Sequence, residues 1–170
     1  MVIEMYKKTY MRIGILLVFG LCVCAGCSAG QERKYTIEEL DNLAEIRIYS
    51  AENDELIKTV SDEEQLYQFN HRPFFDDSDI IERQTELEKE LEGAKAQYYL
   101  VTYKYPVARF GSKELERSVT LTLYEEADII KMAAAQENIK AFSIPEEFLT
   151  FYYETSEEDM NFYRSLVELQ

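Results

Sequence analysis

Enzymes and metalloproteins need side chains that move protons, hold ions or attack electrophiles, and in this 170-residue chain such side chains are unevenly spread. All three cysteines, Cys22, Cys24 and Cys27, fall within six positions, and the single histidine, His71, stands beside Arg72 and Pro73. A zinc site wants several His or Cys ligands, so His71, with only carboxylates for company, reads as a surface histidine at a helix end. No G-x-S-x-G stretch presents a serine nucleophile to it. The stretch FFDDSD brings Asp76, Asp77 and Asp79 together, oxygen ligands suited to a hard cation such as Ca²⁺. It lacks the glycine and terminal glutamate of an EF-hand loop, and solvated acid is the plainer reading. Paired carboxylates serve glycoside hydrolysis, but with 33 acidic residues the spacing singles out no pair. Thirteen tyrosines against no tryptophan form a large amphipathic stock. Tyr99, Tyr103 and Tyr105 are the candidate ligand-binding residues, as an exposed aromatic patch for a peptide, a glycan or a partner protein. The plainer alternative is tyrosine packed under helices with its hydroxyl at the edge. Nothing in these patterns calls for a cofactor.

The cysteines belong to a different context. A basic segment with Lys7, Lys8 and Arg12 is followed by an apolar run over residues 13–25, the order of a secretory signal. A membrane-spanning helix needs ~20 apolar residues, whereas this run covers only about 20 Å at ~1.5 Å per residue. Residues 23–27, Val-Cys-Ala-Gly-Cys, then resemble the lipobox of bacterial lipoproteins, in which small residues precede a cysteine that is diacylated and becomes the mature N-terminus. Ala25, Gly26 and Cys27 match that pattern, while Cys24 stands where the family usually has Leu. Lipidating Cys24 instead would put Val23 before the cut, where a small residue is wanted. The resemblance therefore implies a signal peptide over residues 1–26, lipid on Cys27, and attachment to the extracytoplasmic face of a cell membrane.

Cleavage before Cys27 leaves 144 residues. The discarded piece holds Lys7, Lys8, Arg12 and Glu4, so 18 basic and 33 acidic side chains become 15 and 32, a net charge of −17. Nucleic acid is excluded as a partner, since its binding rests on neutralising phosphates with Lys and Arg, and an anionic leaflet would repel the domain. With no thiol left for an internal disulfide, stability must come from a packed core. Residues 27–34 form a polar tether of at most about 25 Å, at ~3.3 Å per residue.

Residues 35–170 read as one α+β domain. Residues 36–43 suggest a helical turn. Residues 45–49 and 56–60 alternate as strands of a hairpin around a polar turn. Ser61 with Glu64 forms a capping-box pattern for a helix over residues 62–69, ended by Pro73. Residues 76–93 suggest a charged, mostly exposed helix with Ser78 as N-cap, a thin stripe of Ile80, Leu87 and Leu91, and Gly93 just past its end. Strands are expected over residues 97–105, 118–124, 129–133 and 139–144, forming an antiparallel meander. A helix is expected from Pro145, with Phe148 and Tyr152 one turn apart. A last one starts at Ser156 and Asp159, with Met160, Tyr163 and Val167 on one face. The fold class is thus α+β, a mainly antiparallel sheet of a hairpin plus a four-strand meander, with helices packed on one face. This layout resembles small uncharacterised lipoproteins of Gram-positive bacteria.

The expected function is a membrane-anchored, non-enzymatic binding module whose partner is an envelope protein or a cell-wall ligand. The alternative is a cell-wall hydrolase or other envelope enzyme using Asp or Glu, which would require a cleft with two facing carboxylates. A two-lobed solute-binding protein is disfavoured by the chain's length.

Overall fold

The computed structural model describes residues 34–72, 80–106, 114–135 and 149–168. The chain enters through a single turn in which Thr36 and Glu39 bond reciprocally, Thr36 N–H to Glu39 Oε2 at 2.8 Å and Glu39 N–H to Thr36 Oγ1 at 3.2 Å. Asp41 and Asn42 end that turn with φ of 48° and 61°, a left-handed conformation that these two residue types adopt more readily than most. Strand β1, Leu43–Ser50, follows. It begins two residues earlier than alternation alone predicts, because Leu43 is itself buried beneath the turn.

The elements run β1, β2 (Leu56–Val60), α1 (Glu63–Asn70), α2 (Ile80–Glu90), β3 (Ala96–Lys104), β4 (Glu116–Tyr124), β5 (Ile129–Ala134), β6 (Thr150–Glu154) and α3 (Glu157–Val167). The strands make one six-stranded sheet in the order β2-β1-β3-β4-β5-β6, and its neighbouring strands pair antiparallel. The α+β reading, a hairpin joined to a four-strand meander, is what the structure shows.

Two local expectations are corrected. The helix expected from Pro145 is replaced over Thr150–Glu154 by β6, paired to β5 from Ile129↔Glu154 to Ala133↔Thr150. The run Thr-Phe-Tyr-Tyr-Glu is aromatic and β-branched. As a strand it sends Tyr153 into one core cluster and Tyr152 to the other, whereas a helix would place these neighbours about 100° apart on one flank. Helix α1 is capped by Asp62 rather than Ser61: the Asp62 carboxylate accepts from Gln65 N–H at 3.0 Å. Glu64 is thereby freed for Lys34 and Tyr35. The second predicted cap holds: Ser156 Oγ accepts from Asp159 N–H at 3.1 Å and donates to Asp159 Oδ2 at 2.7 Å. Gly93 follows α2 with φ of 85°, as a residue just past a helix end should. The strand expected over residues 139–144 and the N-cap Ser78 lie outside the described residues.

Strand alternation sorts the helices into layers. Ile46, Ile48, Leu100, Leu121, Leu123, Ile130 and Tyr153 face one way and pack against Leu66 and Phe69 of α1 and Met160, Tyr163 and Leu166 of α3. The chain neighbours of Ile130 and Tyr153, Ile129 and Tyr152, face the other way and meet Leu87 and Leu91 from α2 and the turn after it. Helices α1 and α3 thus share the main core face, while α2 covers the opposite face at the β6 edge, which corrects the expectation that the helices pack on one face. Leu87 and Leu91 of the expected stripe are buried, 1% and 7% exposed. Charge and exposure on its other flank conceal that from the sequence.

Candidate functional site

On the α1 side of the sheet the core is incompletely filled. A cavity of about 220 Å³ lies among Leu43 of β1, Val119 and Leu121 of β4, Met132 of β5 and Phe69 at the end of α1. Asp41, Asn70, Thr102, Lys104 and Ser118 also line it. At its floor β3 and β4 slip register between Val101 and Tyr103. At that irregularity the Thr102 hydroxyl accepts from Val119 N–H at 2.9 Å and donates to Val119 C=O at 3.1 Å. A side chain thus stands in for a ladder partner, and Thr102 is only 4% exposed.

The polar side of the cavity is an ion pair between Asp41 and Lys104. Lys104 sends its side chain to the same face as Leu100 and Thr102, where its methylenes run along apolar surface and its ammonium reaches the edge. The two partners differ in exposure: the Lys104 side chain is 32% exposed and that of Asp41 61%.

Two tertiary clasps hold the walls. Arg72, just past α1, pairs with Asp159 at the start of α3 and lies 4.1 Å above the Phe162 ring. Both members of that pair are about four-fifths shielded, at 20% and 21% exposure. Along the length of α1, Tyr35 stacks on Tyr67 at 4.2 Å and Tyr67 on the C-cap His71 at 3.9 Å. Tyr35 O–H donates to Glu64 at 2.9 Å while Lys34 pairs with the same carboxylate. Lys34 and Tyr35 hold the Glu64 carboxyl below its ordinary range. His71 caps α1 as an exposed residue, its Nδ1 2.9 Å from Tyr67 C=O.

Of the tyrosines singled out in the sequence, Tyr99 and Tyr103 lie on the other face of the sheet. Tyr99 sits opposite Tyr49 and Tyr103 opposite Glu45 in the β1–β3 ladder. Arg47 lies 4.1 Å from the Tyr103 ring centre and its Nε donates to Glu45 at 2.6 Å. Burial, then a hydrogen bond with Tyr49, raises the Tyr103 phenol above its ordinary value. Tyr49, Tyr99 and Tyr103 are half-buried, so these rings act first as strand packing. Tyr105 follows β3, 38% exposed, with its N–H bonded to Asn42 C=O at 2.8 Å. Tyr99 and Tyr103 share a face of β3 but stand four positions apart on it, and neither lines the cavity. Asp76, Asp77, Asp79 and Cys27 lie outside the described residues. Among the described residues no group of three or more His, Cys, Asp or Glu is placed to hold a metal, and no helix is long and apolar enough to cross a membrane.

Sequence reasoning missed Asp41, Lys104, Phe69 and Met132 as site residues. Asp41 and Lys104 are 63 positions apart, and no local pattern marks such a pair. The only sequence signal is a charged residue, Lys104, at an inward position of β3, on the face of Leu100 and Thr102.

Fold and site together define an α+β domain with an antiparallel sheet and a small apolar cavity edged by one ion pair. No protein-family model matches the chain, and comparison with curated proteins and with solved structures gives no match. Its function is therefore to be read from its own residues.

Proposed function

We propose that this protein is a lipid-anchored, extracytoplasmic binding module of a bacterial envelope, tethered through Cys27 and using the cavity beside α1 as its binding site. The observation that carries the anchor is the sequence Val-Cys-Ala-Gly-Cys at the end of a basic-then-apolar leader. The compact unit begins at Lys34, seven positions after Cys27. The first two residues of that unit are clamped to α1 by the Tyr35–Tyr67 stack and by Glu64, so the tether leaves from a fixed point. With a net charge of −17 after cleavage, the domain is repelled by anionic headgroups, and the lipid supplies the attachment.

Binding is favoured over hydrolysis by the chemistry of the cavity. Its walls are apolar, and among the described residues its lining holds a single carboxylate, Asp41, already paired with Lys104. Acid-assisted glycoside cleavage uses two facing carboxylates. Growth with a clickable fatty acid tests the anchor: label on the wild type and on Cys24→Ala, and none on Cys27→Ala, is expected. Label retained by Cys27→Ala contradicts it.

A further inference from the structure

We propose that the cavity takes an amphipathic monocarboxylate, with a hydrocarbon portion of about eight carbons or a single ring between the sheet and α1 and its carboxylate on Lys104; this rests on the reading of the cavity as the binding site. Size sets the first limit. A cavity of about 220 Å³ has the volume of about seven liquid waters at ~30 Å³ each, or of a comparable number of methylene groups, and apolar cavities of about 150 Å³ stay dry and admit benzene. Leu43, Phe69, Val119, Leu121 and Met132 give the hydrocarbon portion an apolar wall. Thr102 offers it no polar atom, since its hydroxyl is already bonded in both directions to Val119.

The headgroup follows from the asymmetry of the rim pair. A charged ligand at this edge must displace either Asp41 or Lys104 from the other. Asp41 sits in a left-handed turn with its side chain 61% exposed, whereas Lys104 is fixed in β3 and 32% exposed. Asp41 can rotate into water and stay solvated. Lys104 has its stem against the cavity wall and loses that contact if it leaves. The member that yields is the carboxylate, and a ligand carboxylate takes its place on the ammonium as a charge-assisted hydrogen bond. Asn70, on the same rim, adds an amide donor within the lining. The negative field of the domain opposes anionic ligands at long range, so selectivity arises at Lys104 rather than by steering.

The test uses the intact lipidated protein in phospholipid nanodiscs with methyl-¹³C methionine. Met132 lines the cavity, and Met160, 1% exposed in the core and outside that lining, is the internal reference. Octanoate, octanol and octylamine are titrated separately. The expected result is a saturable shift of the Met132 methyl with octanoate at concentrations about tenfold below those needed for octanol or octylamine, with Met160 unmoved. Asp41→Asn, which suits a left-handed backbone, removes the competing carboxylate and tightens octanoate binding about threefold or more. Lys104→Met abolishes the preference for octanoate over octanol. Octanol or octylamine binding as well as octanoate, or weaker octanoate binding in Asp41→Asn, overturns the carboxylate proposal and leaves the cavity as a site. Silence of Met132 toward all three probes removes the cavity as a binding site and leaves the lipid anchor standing.

Discussion

Strand β6 is the last in the sheet, and its outer edge would present unpaired peptide groups to solvent or to another chain. At Tyr152, whose partner on β5 is Lys131, the side-chain amide of Gln84 fills that role. Tyr152 N–H donates to Gln84 Oε1 at 2.7 Å and Gln84 Nε2 donates to Tyr152 C=O at 2.7 Å. A primary amide has the donor and acceptor geometry of a neighbouring strand's peptide, so one glutamine on α2 both closes the edge and holds the helix on that face. Gln84→Ala removes two hydrogen bonds, each worth about 1 kcal/mol net, and leaves two half-buried peptide groups poorly paired, for a loss of about 2 kcal/mol. With a urea slope of about 1.5 kcal/mol/M, the midpoint falls by about 1.3 M at unchanged slope. Gln84→Glu keeps the acceptor, loses the donor and adds a charge one turn from Glu88, which accepts from Tyr152 O–H at 3.4 Å, so it should destabilise at least as much. The assay is urea unfolding by circular dichroism, paired with hydrogen exchange at the Tyr152 amide. A midpoint shift under about 0.3 M with Tyr152 protection unchanged would refute the edge-closing role.

Three further outcomes are expected. Ser156→Ala costs about 1 kcal/mol and Ser156→Gly only a few tenths, read as urea midpoints, because Ser156 satisfies the Asp159 N–H at the start of α3; equal losses for the two variants would contradict the capping role. At high pH, burial pushes the Tyr163 phenol up to about 12 and that of Tyr153 higher still. Both are held neutral in the folded state, so the stability they contribute is fully present below the unfolded tyrosine value near 10 and is lost as pH rises from there through about 12. Absorbance at 295 nm should therefore show a late group of tyrosines ionising together with loss of the fold, and a single smooth titration of all tyrosines ahead of unfolding would contradict their burial. Asp159→Asn keeps the size of the side chain but removes the charge opposite Arg72, which is 20% exposed and stacked on Phe162. A loss of about 1–2 kcal/mol is expected, and no change in midpoint would show the clasp to be idle.

Much of the sheet is legible in the sequence because its strands are buried on one face. Val119, Leu121 and Leu123 alternate with polar residues, and all of them take the core side. Ser156 and Asp159 announce the last helix because capping is local chemistry. Strand β6 is not legible: Phe148 and Tyr152 satisfy helical spacing as well as Tyr153 and Phe151 satisfy a strand's, and only pairing with β5 decides. The layer taken by α2 is equally hidden, since its stripe shows how much is buried but not which face of the sheet receives it. At α1, Ser61 and Asp62 are both competent caps, and the carboxylate of Glu64, drawn to Lys34 and Tyr35, sets the frame. The cavity lies at a register slip beside Thr102 and at an ion pair closed across 63 positions. Neither leaves a local pattern. The tyrosine run is visible at once, and the structure uses Tyr99 and Tyr103 first as half-buried strand neighbours of Tyr49 and Arg47.

The most direct test of the proposed anchored module is the mass of the N-terminal peptide released by protease from the membrane-extracted protein. A peptide beginning at Cys27 and carrying a diacylglyceryl group is the expected result. A peptide beginning at Met1, or a cleaved N-terminus with Cys27 unmodified or absent, would contradict it.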